Sequence, residues 1–233
     1  MKNTIFNNWK RYGFEFLTMF IAIVAAFALN NWQENKKDSL SENKILTEIF
    51  NGLEKDMEDI KVNVSGHEAG IAACNYFRKA FAGMEVKLDS FMVHYLSVTR
   101  DFTSLQNTAG YETLKSKGLE LIDDDSLRLK VISLYEYEYS TLRKLEEEYA
   151  AMQFHQNYSK DITEALAPNF SVDGAGNLIG IDIPLKIPED KRNELLLYLV
   201  SIQNDRTFAL KYYSEIEKKI TEVRTLIQNQ IEK

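Results

Sequence analysis

The sequence predicts an all-α protein in which one N-terminal transmembrane helix is followed by an elongated antiparallel helical bundle, with a small β-hairpin at about residues 170–183. Three observations predict it. Residues 16–29 are apolar apart from Thr18. Apolar residues then recur at intervals of three and four through most of the chain, the helical period. All three prolines, Pro168, Pro184 and Pro188, fall in one stretch, so the strongest helix breaker is missing elsewhere.

The first element runs from Phe14 to Trp32. As a helix it spans about 28 Å, close to the ~30 Å hydrocarbon thickness of a bilayer. Trp9 and Tyr12 lie at one end and Trp32 at the other, where amphipathic rings anchor at the two interfaces. Asn30 and Asn31 close the apolar run. Apolar residues surround the whole helix instead of forming one stripe, which disfavours a core helix. A secretory signal is the competing reading, with Lys10-Arg11 as its basic region and Ala26-Phe27-Ala28 as a small-x-small cleavage site. Glu15 interrupts that pattern.

The expected division is therefore a short cytoplasmic segment (1–13), a span (14–32) and an extracytoplasmic bundle (33–233). Lys2, Lys10 and Arg11 precede the span, while Lys36, Lys37 and Lys44 follow it. The short N-terminal flank holds no acid outside Glu15, which favours N-inside. In a bacterium this is an inner-membrane protein with a periplasmic C-terminal domain.

Within the span, Glu15, Thr18, Ala22, Ala25, Ala26 and Leu29 share one helical face. Two readings of that face stand. Small residues let two backbones approach and a carboxylate avoids lipid, so the face is a self-association seam or lines a pore. Alternatively Glu15 snorkels to the interface beside Lys10-Arg11 and the alanines are filler.

After the span, Ser39 with Glu42 has the form of a capping box, and Leu46, Ile49, Leu53, Met57, Ile60 and Val64 mark a long amphipathic helix. Whether this helix is continuous with the span is open at this stage, as is whether Ser65-Gly66 and Gly70 bend it. A short helix can start at Asp89. Another ends at Gly118, a C-terminal cap. Asp123, Asp124 and Asp125 place charge at the first turn of the next helix, expected to run from Leu127 to about Ala165. A hairpin around Asp173-Gly174 follows. Pro188 then opens a last helix of about forty residues, in which Tyr213, Ile216, Ile220, Val223 and Ile227 keep coiled-coil spacing.

Charge and composition exclude several functions. The net charge is -7; setting aside Lys2, Lys10, Arg11 and Glu15 leaves 25 basic and 34 acidic residues, without the clustered cations that nucleic acid requires. The single cysteine, Cys74, excludes an internal disulfide framework. His67, His94 and His155 are scattered, without a second ligand at metal spacing. Gly174-Ala175-Gly176 lacks the strand and helix of a phosphate cradle. No catalytic residue, metal ligand or cofactor is assigned.

Two stretches carry a resemblance. Glu15 opens an apolar run closed by Asn30, Asn31, Trp32, Gln33 and Glu34, and Tyr111, Leu114, Gly118, Leu121 and Ile122 form a Tyr-x-x-Leu-(x)3-Gly-x-x-Leu-Ile block. Together they resemble a family of uncharacterised single-span membrane proteins of Bacteroidota. Phe14 stands where that family usually has glycine, and Ala28 where it often has a polar residue. The resemblance implies topology and carries no activity. The expected function is a non-enzymatic envelope scaffold or interaction protein that contacts membrane lipid, forms a homo-oligomer and meets an envelope protein partner. The alternatives are an oligomeric ion channel or ion-coupled component using Glu15, and a periplasmic sensing bundle acting through a partner.

Overall fold

The computed structural model describes the backbone of residues 3–232 and the side chains of Trp9 and of residues 12–232. Lys2 and the side chains of Lys10 and Arg11, on which the expected orientation leans, lie outside the described residues. The architecture is all-α with one two-stranded hairpin, as the sequence predicts.

The bundle has four antiparallel tracks. The first is α1 (Asn3–Phe81), a single helix of 79 residues and so ~118 Å long. The second returns along it through α2 (Phe91–Val98), an extended strap (residues 99–108) and α3 (Ala109–Lys117). The third rises again through α4 (Asp125–Ile132), a π-helical turn (Ser133–Glu138), α5 (Tyr139–Glu147) and α6 (Phe154–Leu166). The hairpin, β1 (Phe170–Val172) and β2 (Leu178–Ile181), caps the far end with Phe170 paired to Ile181. The fourth track is α7 (Glu189–Ile231), which returns the whole length beside α1.

The α1 and α7 pair is an antiparallel coiled coil folded within one chain. On α1 the inward positions are Leu46, Ile49, Leu53, Asp56, Ile60, Asn63, His67, Gly70, Cys74, Phe77 and Phe81, a strict alternation of fours and threes, all buried. On α7 the same alternation is Leu195, Leu199, Ile202, Arg206, Ala209, Tyr213, Ile216, Ile220, Val223 and Ile227. A repeat of this kind keeps one seam facing its partner over many turns. Each fully buried Leu or Ile contributes ~1.5–3 kcal/mol relative to exposure, so tertiary packing fixes these long helices.

Two expectations are corrected and one open question is answered. Ser39 and Glu42 do not start a helix, because α1 passes through them without a break; Glu42 turns inward and accepts from the Asp123 amide at 3.3 Å. On the question left open at Ser65, Gly66 and Gly70, the helix passes through them uninterrupted: Gly66 leaves room for the Phe102 ring and Gly70 for the Arg206 side chain. The helix expected from Leu127 to about Ala165 is interrupted at residues 148–153, where Gln153 Nε2 donates to the Glu146 carbonyl at 2.8 Å and Asn157 Nδ2 to that of Ala150 at 2.7 Å. Elsewhere the local signals act as read. Gly118 ends α3 at φ +107°, Asp124 caps α4 by accepting from the Leu127 amide, and Pro188 precedes α7.

Candidate functional site

The first candidate is the arm of α1 that precedes the bundle. From Tyr12 to Leu40 every residue is exposed, including Phe16 (70%), Phe27 (67%) and Leu29 (65%). This stretch makes α1 long and apolar enough to cross a membrane: an 18-residue window in it has a mean hydropathy of 2.0 and none of that window is buried. Trp9, Tyr12 and Trp32 are exposed at its two ends, and the Lys36 ammonium lies 5.5 Å from the Trp32 ring centre. Because the helix is continuous, Glu15, Thr18, Ala22, Ala25, Ala26 and Leu29 fall within an arc of ~100°; the Thr18 hydroxyl donates back to the Glu15 carbonyl at 2.9 Å. By contrast Tyr213, Ile216, Ile220, Val223 and Ile227 are buried in the core and face α1 of the same chain.

The second candidate is a polar centre inside the bundle, organised around the strap. Its amides are held by carboxylates from two helices: Asp56 accepts from Asn107 at 2.7 Å, Asp59 from Leu105 at 2.9 Å and Glu146 from Ser104 at 3.0 Å. Carbonyls at the end of α2 and the start of the strap are held by Arg206, whose Nη2 donates to Ser97, Val98 and Arg100 at 3.3, 3.2 and 2.8 Å. Arg206 therefore sits at the negative end of α2, where a cation is favoured. It is fully buried, and its guanidinium carbon lies 4.1 Å from the Phe154 ring centre. Burial lowers its pKa to about 10, which leaves it charged at neutral pH.

His67 completes this centre. Arg206 Nη1 lies 3.2 Å from His67 Nδ1; a guanidinium only donates, so Nδ1 accepts and the ring proton sits on Nε2. Burial first, and the neighbouring Arg206 charge second, push the imidazole pKa down to about 3. Burial likewise raises the Asp56 and Glu146 carboxyls above their ordinary range, against the hydrogen bonds that lower them. Asp56 accepts from the Tyr139 hydroxyl at 2.7 Å, and Glu146 accepts from that of Tyr213. Both phenols are held un-ionised well above their usual range, by burial first and then by these carboxylates. Cys74 nearby is buried, and its thiol is raised to about 11.

In this centre carboxylates grip amides and a guanidinium grips carbonyls. His94 stacks on Tyr76 at 4.4 Å, and His155 is exposed with its amide donating to Asp101. Among the described residues no group of three or more His, Cys, Asp or Glu is placed to hold a metal ion. Sequence reasoning missed Arg206, Asp56 and the strap. A signal for the first was present, since Arg206 occupies an inward position of the α7 repeat between Ile202 and Ala209. Comparison with models of known families, with curated proteins and with solved structures finds no match to this chain.

Proposed function

We propose that this chain is a membrane-anchored, non-enzymatic scaffold of the bacterial cell envelope. Its arm crosses the inner membrane with the N-terminus inside, and its bundle stands in the periplasm as a rigid helical post that self-associates and meets an envelope partner. One observation carries this reading. The apolar arm is exposed on every side, whereas the same helix beyond Ser41 buries its apolar face in a well-packed core. A contiguous apolar surface of that size needs lipid or protein around it. Interior polar groups spent on holding the strap support a structural role over a catalytic one.

The test is extraction. The full chain is expected to stay in the pellet after a carbonate wash and to need detergent for release, and the extracted material to run as more than one copy by light scattering. Release by carbonate, or a native chain beginning near Leu29, would refute the anchor. Loss of ion flux in liposomes on Glu15→Gln, with oligomer size unchanged, would favour the ion-conducting alternative.

A further inference from the structure

We propose that the outer groove between α1 and α7 receives α1 of a second, parallel copy of this chain. The inference rests on the anchored, self-associating reading above and specifies the surface. Two cavities, of about 710 and 300 Å³, open along one side of the α1 and α7 pair. Their apolar floor consists of the half-buried Phe50, Met57, Leu226 and Ile231, with Thr47 and Asn51 on the α1 wall. From Thr47 to Lys61 the two cavities follow α1 for ~21 Å, about four helical turns, divided by Arg224, whose guanidinium carbon lies 4.5 Å from the Phe50 ring centre and whose Nη2 lies 3.8 Å from Glu54. An apolar floor within a polar rim is the anatomy of a protein–protein contact.

The continuity of α1 selects the occupant. No break separates the arm from the groove wall, so azimuths can be carried along it at ~100° per residue. The centre of the Glu15 to Leu29 seam then lies ~150° from the inward stripe near Leu46 to Ile60, and within ~40° of the groove wall. The seam and the groove therefore open on the same side, away from the packed interior. Copies held in one membrane are parallel and level. A helix lying along the seam of its neighbour runs straight up into the groove, and a second copy is the partner that presents α1 at that height and azimuth. The resulting two-fold interface is isologous.

Disulfide trapping in native membranes tests this with the full chain. Cys74 is fully buried and stays in place. Thr47→Cys and Asn51→Cys are at exposed positions on the groove wall, Ala22→Cys is on the seam, and Glu164→Cys is an exposed control on α6. After oxidation, Thr47→Cys and Asn51→Cys are expected to give at least five times the homodimer of Glu164→Cys, with helical content and melting unchanged. If Ala22→Cys cross-links while the two groove variants stay at the control level, the groove assignment fails and self-association through the span stands. If none of the four cross-links, the groove assignment fails, and carbonate extraction of the same membranes decides separately whether the anchor holds. A groove adduct of a mass other than the homodimer overturns the second-copy assignment in favour of another envelope protein.

Discussion

Replacing Arg206 probes the bundle where it is most exposed to a single loss. Arg206→Met keeps much of the buried volume and removes every donor. Three carbonyls, those of Ser97, Val98 and Arg100, lose their guanidinium contact, and His67 Nδ1 loses its donor. A buried polar group left unsatisfied costs ~1–3 kcal/mol. The methionine recovers some of this, because it removes the burial cost of a charge with no ion-pair partner among the described salt bridges, and replacing buried charge by apolar volume can be neutral or better. With two of the four acceptors finding other partners, the expected net loss is ~2–4 kcal/mol. Arg206→Lys is expected to rescue little, since one ammonium lacks the planar fork that reaches three carbonyls and an imidazole together. The assay is urea unfolding of the full chain in detergent, followed by circular dichroism, with hydrogen exchange read residue by residue. Protection should fall first in the strap, at Ser104, Leu105 and Asn107. A loss below ~1 kcal/mol, or a loss spread evenly over all four tracks, would refute the claim that Arg206 holds the strap.

Further outcomes follow from the same centre. Gly70→Ala sets a Cβ 2.3 Å from Arg206 Nε, and Gly66→Ala sets one 2.2 Å from the Phe102 ring; either is expected to destabilise by ~1–3 kcal/mol, the usual range for overpacking, visible as a lower urea midpoint. Asp56→Ala strands the Asn107 amide and the Tyr139 hydroxyl, and should cost ~2–4 kcal/mol, whereas Asp56→Asn keeps an acceptor and should cost less than half as much. The pH profile has two opposing parts. His67 has a depressed folded pKa, so its contribution is complete above the unfolded value of 6.5 and is lost as pH falls from 6.5 towards about 3. Asp56 and Glu146 have raised folded pKa values, so they favour the fold below the ordinary carboxylate range and lose that contribution as pH rises through the folded values. His67→Gln is therefore expected to lose less stability than the native chain between pH 7.5 and 5, and an unchanged difference in urea midpoints would count against the buried neutral imidazole. Gly118→Ala, at φ +107°, should cost about 1 kcal/mol, checked by thermal melting.

What the sequence disclosed divides by the range of the forces involved. Pro188, Gly118 and Asp124 mark boundaries because each acts on its own backbone, and they lie where the sequence places them. The spacing from Tyr213 to Ile227 was legible as a seam, but periodicity does not name the partner, and the partner is α1 of the same chain. Ser39 and Glu42 have capping chemistry, yet a helix already supplied with hydrogen bonds on both sides has no free amides for them to satisfy. The interruption at residues 148–153 contains neither glycine nor proline; it is fixed by hydrogen bonds from Gln153 and Asn157, side chains that read as ordinary surface. The strap was invisible for a related reason, since its holders, Asp56, Asp59, Glu146 and Arg206, come from three helices distant in the chain. Their juxtaposition is a property of the packed bundle.

The unbroken course of α1 has a mechanical consequence. A shaft of ~118 Å with no joint transmits tilt at full gain, so leaning it about its N-terminal end by ten degrees sweeps the far tip sideways by ~20 Å. In the anchored arrangement proposed above, changes in bilayer thickness, or pressure from a neighbour on the N-terminal end, would reach the hairpin cap as displacement instead of dissipating in a flexible tether.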